Sequence, residues 1–192
     1  MSGAFHSEPI GLRIKGQAEV IPYWRMAPSA RELLEAAAAQ GGGDLETVAR
    51  GVLERLAELT GLSSTYLAET RLIADEQYIV FAVNHSDLFH IPEDVTLPWS
   101  EGVCRFVVEG GPHYTNDAQK RFPSSSVARL LEIRTFVSYP VFTADGRFFG
   151  TLCGASKERV DIEQEVLELM RECARLIGLR LRRDVSAASS PR

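Results

Sequence analysis

Apolar positions recur along the chain with two periods, and the switches between them mark out the elements. From Asp44 onward, Leu45, Val48, Ala49, Val52, Leu53, Leu56 and Leu59 return at steps of three and four, as on one face of an α-helix. Asp44 is an N-cap residue, and Gly61 falls where the left-handed residue that closes a helix belongs. Two β-rich runs follow, 65–73 (TYLAETRLI) and 77–84 (QYIVFAVN), joined through Asp75-Glu76, which predicts a hairpin. A second hairpin is predicted over 135–156, around Asp145-Gly146, a pair suited to a type I′ turn. Its first arm carries Val137, Tyr139 and Val141 on one face and Phe136, Pro140 and Phe142 on the other. A strand apolar on both faces is covered on both, so this hairpin belongs at the centre of a sheet. Pro140 has no N–H for a ladder and predicts a bulge or irregular spot. Gly150 and Gly154, with Thr151 and Cys153 between them, predict a close approach to the backbone by a packed helix or a bound small molecule.

Between the hairpins, 85–99 reads as a loop with Pro92 and Pro98. A short helix over 101–109 is expected, capped by Ser100 and closed by Gly110-Gly111. A brief strand at 113–115, a turn at Asn116-Asp117 and a further short helix over 125–132 complete the insertion. Asp161 is expected to begin the last helix, with Gln164 at the capping-box position. That helix bears two stripes: Ile162, Val166, Leu169, Cys173 and Leu176, and beside them Leu167, Met170, Ala174, Ile177 and Leu181. Two stripes can serve the helix's own sheet and a neighbour at once, which predicts a homodimer with Cys173 and Leu176 in the seam.

Upstream, Ser29-Ala30-Arg31-Glu32 is a capping box opening a short helix that Gly41-Gly42-Gly43 ends. A glycine triplet is a flexible joint, so residues 1–43 read as an appendage separable from the folded core. Within it, 18–24 (AEVIPYW) suits a short strand or a segment laid on a partner surface. Residues 44–183 read as the folded domain and 184–192 as a disordered tail.

Composition narrows the function classes. A net charge of −5 argues against a nucleic-acid binder that works through charge. The chain has no apolar run of the ~18 residues a membrane span needs. Its start, MSGAFHSEPIG, has no secretory pattern, and its 3 cysteines, widely spaced, suit reduced thiols better than a disulfide framework. The expected compartment is the cytoplasm.

Cys104 is the most suggestive single residue. It falls one turn into the helix expected from Ser100, where backbone N–H groups and the helix dipole lower a thiol's pKa. The competing reading is a packing cysteine in a pocket wall. Trp99, Tyr114, Phe136 and Tyr139 surround the expected pocket and suit a flat apolar ligand. Arg105, Asp117, Ser138 and Thr151 are its candidate polar handles, and Cys104 and Cys153 complete the candidate ligand-binding set. His85, Asp87 and His90, with His113 as a remote fourth, spell H-x-D-x-x-H. The spacing matches no specific site and loop histidines are more often solvated, so no metal is expected.

A helix, a hairpin, a loop-and-short-helix insertion, a hairpin and a long helix describe an α+β domain. This order over 44–183 resembles the GAF domain family. The resemblance is carried by 59–67 (LTGLSSTYL), 98–105 (PWSEGVCR), 133–141 (IRTFVSYPV) and 145–156 (DGRFFGTLCGAS), and is strongest to GAF sensor domains of bacterial diguanylate cyclases and related signalling proteins. It implies an antiparallel sheet with the N- and C-terminal helices on one face and a ligand pocket with short helices on the other. It further implies non-enzymatic sensing of a small molecule by a homodimer that signals through its terminal helices to a downstream signalling protein; the cofactor is unknown. No GGDEF stretch is present, so the chain has no cyclase output of its own.

Two other readings come with the resemblance. A GAF family that reduces free methionine sulfoxide has a similar Gly-Val-Cys, matched by Gly102-Val103-Cys104, which implies a thiol enzyme as an alternative. That family's further cysteine, between the helix and the central hairpin, has no counterpart in 105–135, and only folding can bring Cys153 near. Phytochrome-like GAF domains attach a bilin in a stretch corresponding to 125–131, which holds no cysteine, so bilin is not expected. A ligandless dimerisation module is the remaining alternative.

Overall fold

The computed structural model describes residues 28–41 and 43–181. The segment 18–24, Gly42 and the tail 184–192 lie outside the described residues. Helix α1 (Ala30–Gly41) begins with the expected capping box: the Glu32 N–H donates to Ser29 Oγ (3.3 Å) and the Ser29 N–H to Glu32 Oε2 (2.7 Å). Asp44 caps α2 (Leu45–Thr60) by accepting the Thr47 N–H at 2.9 Å, and Gly61 closes it with φ +68°. The first hairpin is β1 (Ser64–Arg71) and β2 (Glu76–Asn84), turned through Asp75, a non-glycine residue at φ +54°. The insertion supplies β3 (Thr96–Pro98), α3 (Cys104–Val108), β4 (Tyr114–Thr115), α4 (Ala118–Arg121) and α5 (Ser126–Leu130). The second hairpin, β5 (Thr135–Phe142) and β6 (Phe148–Ser156), leads to α6 (Gln164–Arg180).

All six strands form one antiparallel sheet in the order β3-β2-β1-β6-β5-β4. The two hairpins therefore meet through β1 and β6, with Tyr66 opposite Cys153 and Ala68 opposite Thr151. Ser138 of β5 stands across from Cys153 on the other side. Since side chains alternate across a strand, Tyr66, Ala68, Phe136, Ser138, Thr151 and Cys153 share one face. Leu67, Val137, Tyr139, Val141 and Leu152 take the other, where α2 and α6 cover them with Val52, Leu53, Leu56, Met170 and Ile177. Helix α1 joins this layer. Its Ala30, Leu33, Leu34 and Ala37 are buried, and Ala37 sits so close to α2 that a Cβ on Gly51 would lie 2.7 Å from the alanine's own.

Several local signals gave way to tertiary contacts. The second hairpin turns through a wider loop than a type I′ turn: the Gly146 N–H bonds Thr143 O (2.9 Å), the Thr143 N–H bonds Arg147 O (2.9 Å), and only Gly146 there has positive φ. Pro140 interrupts nothing. The Ser138 N–H points outward to His113 O (2.8 Å), so the nitrogen of Pro140, two residues on, points the same way past the end of β4, where among the described residues no strand pairs with it. The register shift falls just beyond, at Val141/Phe142. Ser100 does not cap the short helix. Its N–H and hydroxyl both go to Asp75 (2.8 and 2.7 Å), a 3-10 turn occupies 99–101, and α3 starts only at Cys104. Asp161 likewise accepts from Asn116 Nδ2 (2.6 Å) rather than capping α6, which begins after Glu163 without a side-chain cap. The glycines of β6 are explained by packing: a Cβ on Gly150 would lie 1.9 Å from Ala68 O, and one on Gly154 2.4 Å from Leu62 Cδ1.

Candidate functional site

On the sheet face away from α2 and α6 lies a cavity of about 290 Å³. Its floor is Tyr66, Gln77 and Ile79 of the first hairpin; one wall is the 91–97 loop, another is Gly102, Val103 and Cys104, and Val127, Leu130 and Leu131 close it from α5. Leu130 is 81% exposed while Cys104 is 1% exposed, so the cavity runs from the surface to the thiol.

The walls are fastened from outside. Glu93 accepts from the two terminal Arg50 nitrogens (2.6 and 2.9 Å) and from the Ala82 N–H (2.6 Å), clamping the 91–97 loop to α2 and to the edge of β2. Hydrogen bonding from Arg50, helped by the Ala82 N–H and opposed by burial, holds the Glu93 carboxyl below its ordinary range. The Asn84 side chain pairs with both backbone groups of Ile91 (2.9 and 3.1 Å). Ser125 caps α5 through the Ala128 N–H (3.1 Å) and donates to Glu101 O (2.9 Å), which joins α5 to the segment before α3.

At the deep end two thiols meet. Cys104 Sγ is 3.4 Å from Cys153 Sγ, and Cys153 Sγ is 3.3 Å from Ser138 Oγ. Gln77 Nε2 donates to Thr151 Oγ1 at 3.4 Å beside them. All three cysteines are free. Burial pushes the Cys104 thiol up, but hydrogen bonding from Cys153, Thr151, Gln77 and Tyr66 outweighs it and brings Cys104 below the usual thiol range. Cys153, buried and beside Cys104, is driven well above it. Burial, then the adjacent sulfurs, raises Tyr66 well above a normal phenol, so it stays a hydroxyl donor. The two thiols are thus shifted in opposite directions, Cys104 down and Cys153 up.

Of the ten candidate residues, folding gathers Cys104, Ser138, Thr151 and Cys153. Trp99 and Phe136 belong to the same apolar cluster but lie behind the cavity wall; Trp99 packs edge-on against Phe148 with ring centroids 6.2 Å apart. Arg105 lies over the Phe106 ring (4.6 Å) and 3.5 Å from Glu109, and Asp117 is 2.8 Å from Arg159, both away from the cavity. Tyr114 and Tyr139 face the helical layer instead. The Tyr114 hydroxyl donates to Val160 O (2.7 Å) and Tyr139 stacks on His113 at 4.7 Å. His85 turns to Glu54 (2.9 Å), far from His113's stack, and among the described residues no three His, Cys, Asp or Glu side chains converge as a metal site. Tyr66, Gln77, Ile79, Val127 and Ile133 were missed. Tyr66, Gln77 and Ile79 lie in the first predicted hairpin, to which the sequence attaches no site.

A cavity-bearing antiparallel sheet backed by terminal helices defines a GAF-type α+β module. A family model described as GAF domain matches residues 42–181, and the chain belongs to that family. The diguanylate cyclase DgcP of Escherichia coli (strain K12) is 34% identical over 134 residues, covering 70% of this chain but 39% of that protein. The chain thus spans about two fifths of the length of the curated relative it matches. The phycocyanobilin-bound GAF domain from a cyanobacterial phytochrome superposes with a TM-score of 0.68 at 10% identity, covering 85% of this chain and 100% of that one. The free methionine-R-sulfoxide reductase from Neisseria meningitidis, in complex with its substrate, gives 0.62 at 19% identity over 83% and 92%. At these identities the likeness is one of fold.

Proposed function

We propose that this domain is a non-enzymatic sensor in a cytoplasmic bacterial signalling protein, and that it binds a small, flat, largely apolar molecule in the cavity. The observation that carries this reading is the largely apolar wall, built by Ile79, Ile91, Val95, Leu97, Val103, Val127 and Leu130, with polar side chains at Tyr66, Gln77 and the thiol end and at the exposed Thr96. Such a site orients a ligand that has one hydrogen-bonding end and an apolar body. Denaturing the purified protein and analysing the supernatant by mass spectrometry and absorption should release one organic molecule per chain. A chain that carries none, and whose melting is unmoved by a panel of aromatic and heterocyclic compounds, would make it a ligandless module.

The sensor is proposed to signal as a homodimer through its terminal helices. Cys173 cannot form the seam, since it is fully buried in the chain's own core; α1 and the sheet already cover much of both α6 stripes. What α1 leaves is Leu169 and Leu176, half-buried, and Leu179, 46% exposed. Light scattering at micromolar concentration should give the mass of two chains, and Leu179→Glu that of one. A single-chain mass before any substitution would end this part of the proposal.

One observation favours a second reading. Folding supplies the second sulfur that the sequence of 105–135 lacks, so a thiol enzyme has its pair. Its substrate would not be a free amino acid sulfoxide. Among the described residues lining the cavity none carries a charge, and a zwitterion left without charged partners is costly to desolvate. Methionine sulfoxide turnover with a thiol donor should therefore be absent.

A further inference from the structure

The deep end of the cavity holds more chemistry than ligand binding uses. Two free thiols 3.4 Å apart, one on a short helix and one on a central strand, lie at the inner end of a passage that reaches the surface at Leu130. Cys153 is fixed in a central strand, paired to β1 on one side and to β5 on the other. Cys104 is the first residue of a five-residue helix entered through Gly102 and a 3-10 turn, with no side-chain cap holding its start. Only Cys104 lines the cavity.

We infer that Cys104 and Cys153 form a redox-active pair that reacts with small hydroperoxides entering the cavity, Cys104 attacking and Cys153 closing an internal disulfide. In the first step the Cys104 sulfur attacks one peroxide oxygen and the O–O bond breaks. Cys104 becomes a sulfenic acid, and the leaving alkoxide or hydroxide takes up the proton that Cys104 gave. In the second step Cys153 attacks the Cys104 sulfur, the S–O bond breaks, and the hydroxyl leaves as water with the Cys153 proton. Two thiols have lost two electrons, and the peroxide has become an alcohol, or water, plus water. A cellular dithiol reverses the bond by exchange.

The placement suits these roles, since Cys104 is the sulfur that lines the cavity and so the one the peroxide meets, and its neighbours' hydrogen bonds shift its thiol down rather than up. Closing the bond needs the sulfurs to approach by roughly 1.4 Å. The strand holds Cys153, so Cys104 travels, and Gly102 and Val103 of the cavity wall travel with it. Cys173 is the internal control. It lies on the opposite face of the sheet, its thiol pushed up to about 12 by burial and then by Glu172. None of this depends on an organic ligand being present.

The test is hydrogen peroxide added to the reduced full-length chain, followed by intact mass and a peptide map under non-reducing conditions. The expected result is the loss of two hydrogens, a single Cys104–Cys153 link, an untouched Cys173 thiol and full reversal by dithiothreitol. In Cys153→Ser the reaction should stop at a sulfenic acid on Cys104 that a 1,3-diketone probe traps, and Cys104→Ser should form no link. Wild-type protein that leaves both thiols open to alkylation, or that oxidises Cys173 first or links between chains, overturns the inference. The wild-type map decides even where a serine variant fails to fold, and the outcome is independent of whether an organic molecule co-purifies.

Discussion

A chain beginning at Gly43 should lose about a third or more of its stability. Helix α1 looks detachable in the sequence because a glycine triplet follows it, yet its Leu33 and Leu34 are 7% and 3% exposed and sit in the same cluster as α2 and α6. Burying a leucine contributes roughly 1.5–3 kcal/mol, and Ala30 and Ala37 add smaller amounts. Removing the helix also exposes the parts of Leu169 and Leu176 that it covers, which it leaves only half-buried as it is. The sum is about 5 kcal/mol or more, against a net stability on the order of 5–15 kcal/mol for a domain. For a chain of this size that is a fall in melting temperature of roughly 10–20 °C, or no cooperative transition at all. Calorimetry of the shortened chain beside the full one gives the answer, and a difference of only a degree or two would restore α1 to the appendage.

The signal for that packing was present. Ala30, Leu33, Leu34 and Ala37 stand at i, i+3, i+4 and i+7, the same periodicity that identified α2, but the glycines were given more weight than the stripe. Periodicity served well wherever both faces of a strand were apolar, because β5 and β6 then had to lie inside the sheet, and they do. It placed residues on a common face without saying which face was which. Tyr139 is a candidate beside Phe136 and Ser138 although its parity sets it on the other face, and it stands on the helical side with His113. The polar floor was hidden for a different reason. Tyr66 and Gln77 reach the thiols only because β1 pairs with β6 across the sheet, and that pairing is not encoded locally. The meeting of Cys104 with Cys153, 49 residues later, has the same origin. Capping motifs at Ser100 and Asp161 failed because Asp75 and Asn116, distant in sequence, offered these side chains other partners.

Replacing Val127 with tryptophan should empty the cavity of ligand while leaving the domain folded. Val127 lines the cavity from α5 and is only half-buried, at the end where Leu130 is already in solvent. An indole there projects into a space of about 290 Å³ that the sheet, the clamped 91–97 loop and α3 bound on the other sides. Overpacking a closed core costs about 1–3 kcal/mol, but a site already open to vacant volume and solvent can take the larger ring with less. The melting temperature should therefore move by no more than about 5 °C. Occupancy by any organic molecule that co-purifies with the wild type should fall at least tenfold, equal to about 1.4 kcal/mol of binding. The paired measurement is ligand per chain by mass spectrometry and melting by circular dichroism on the same preparation. A variant that melts like the wild type and still carries its full complement of ligand would place the binding site elsewhere on the domain.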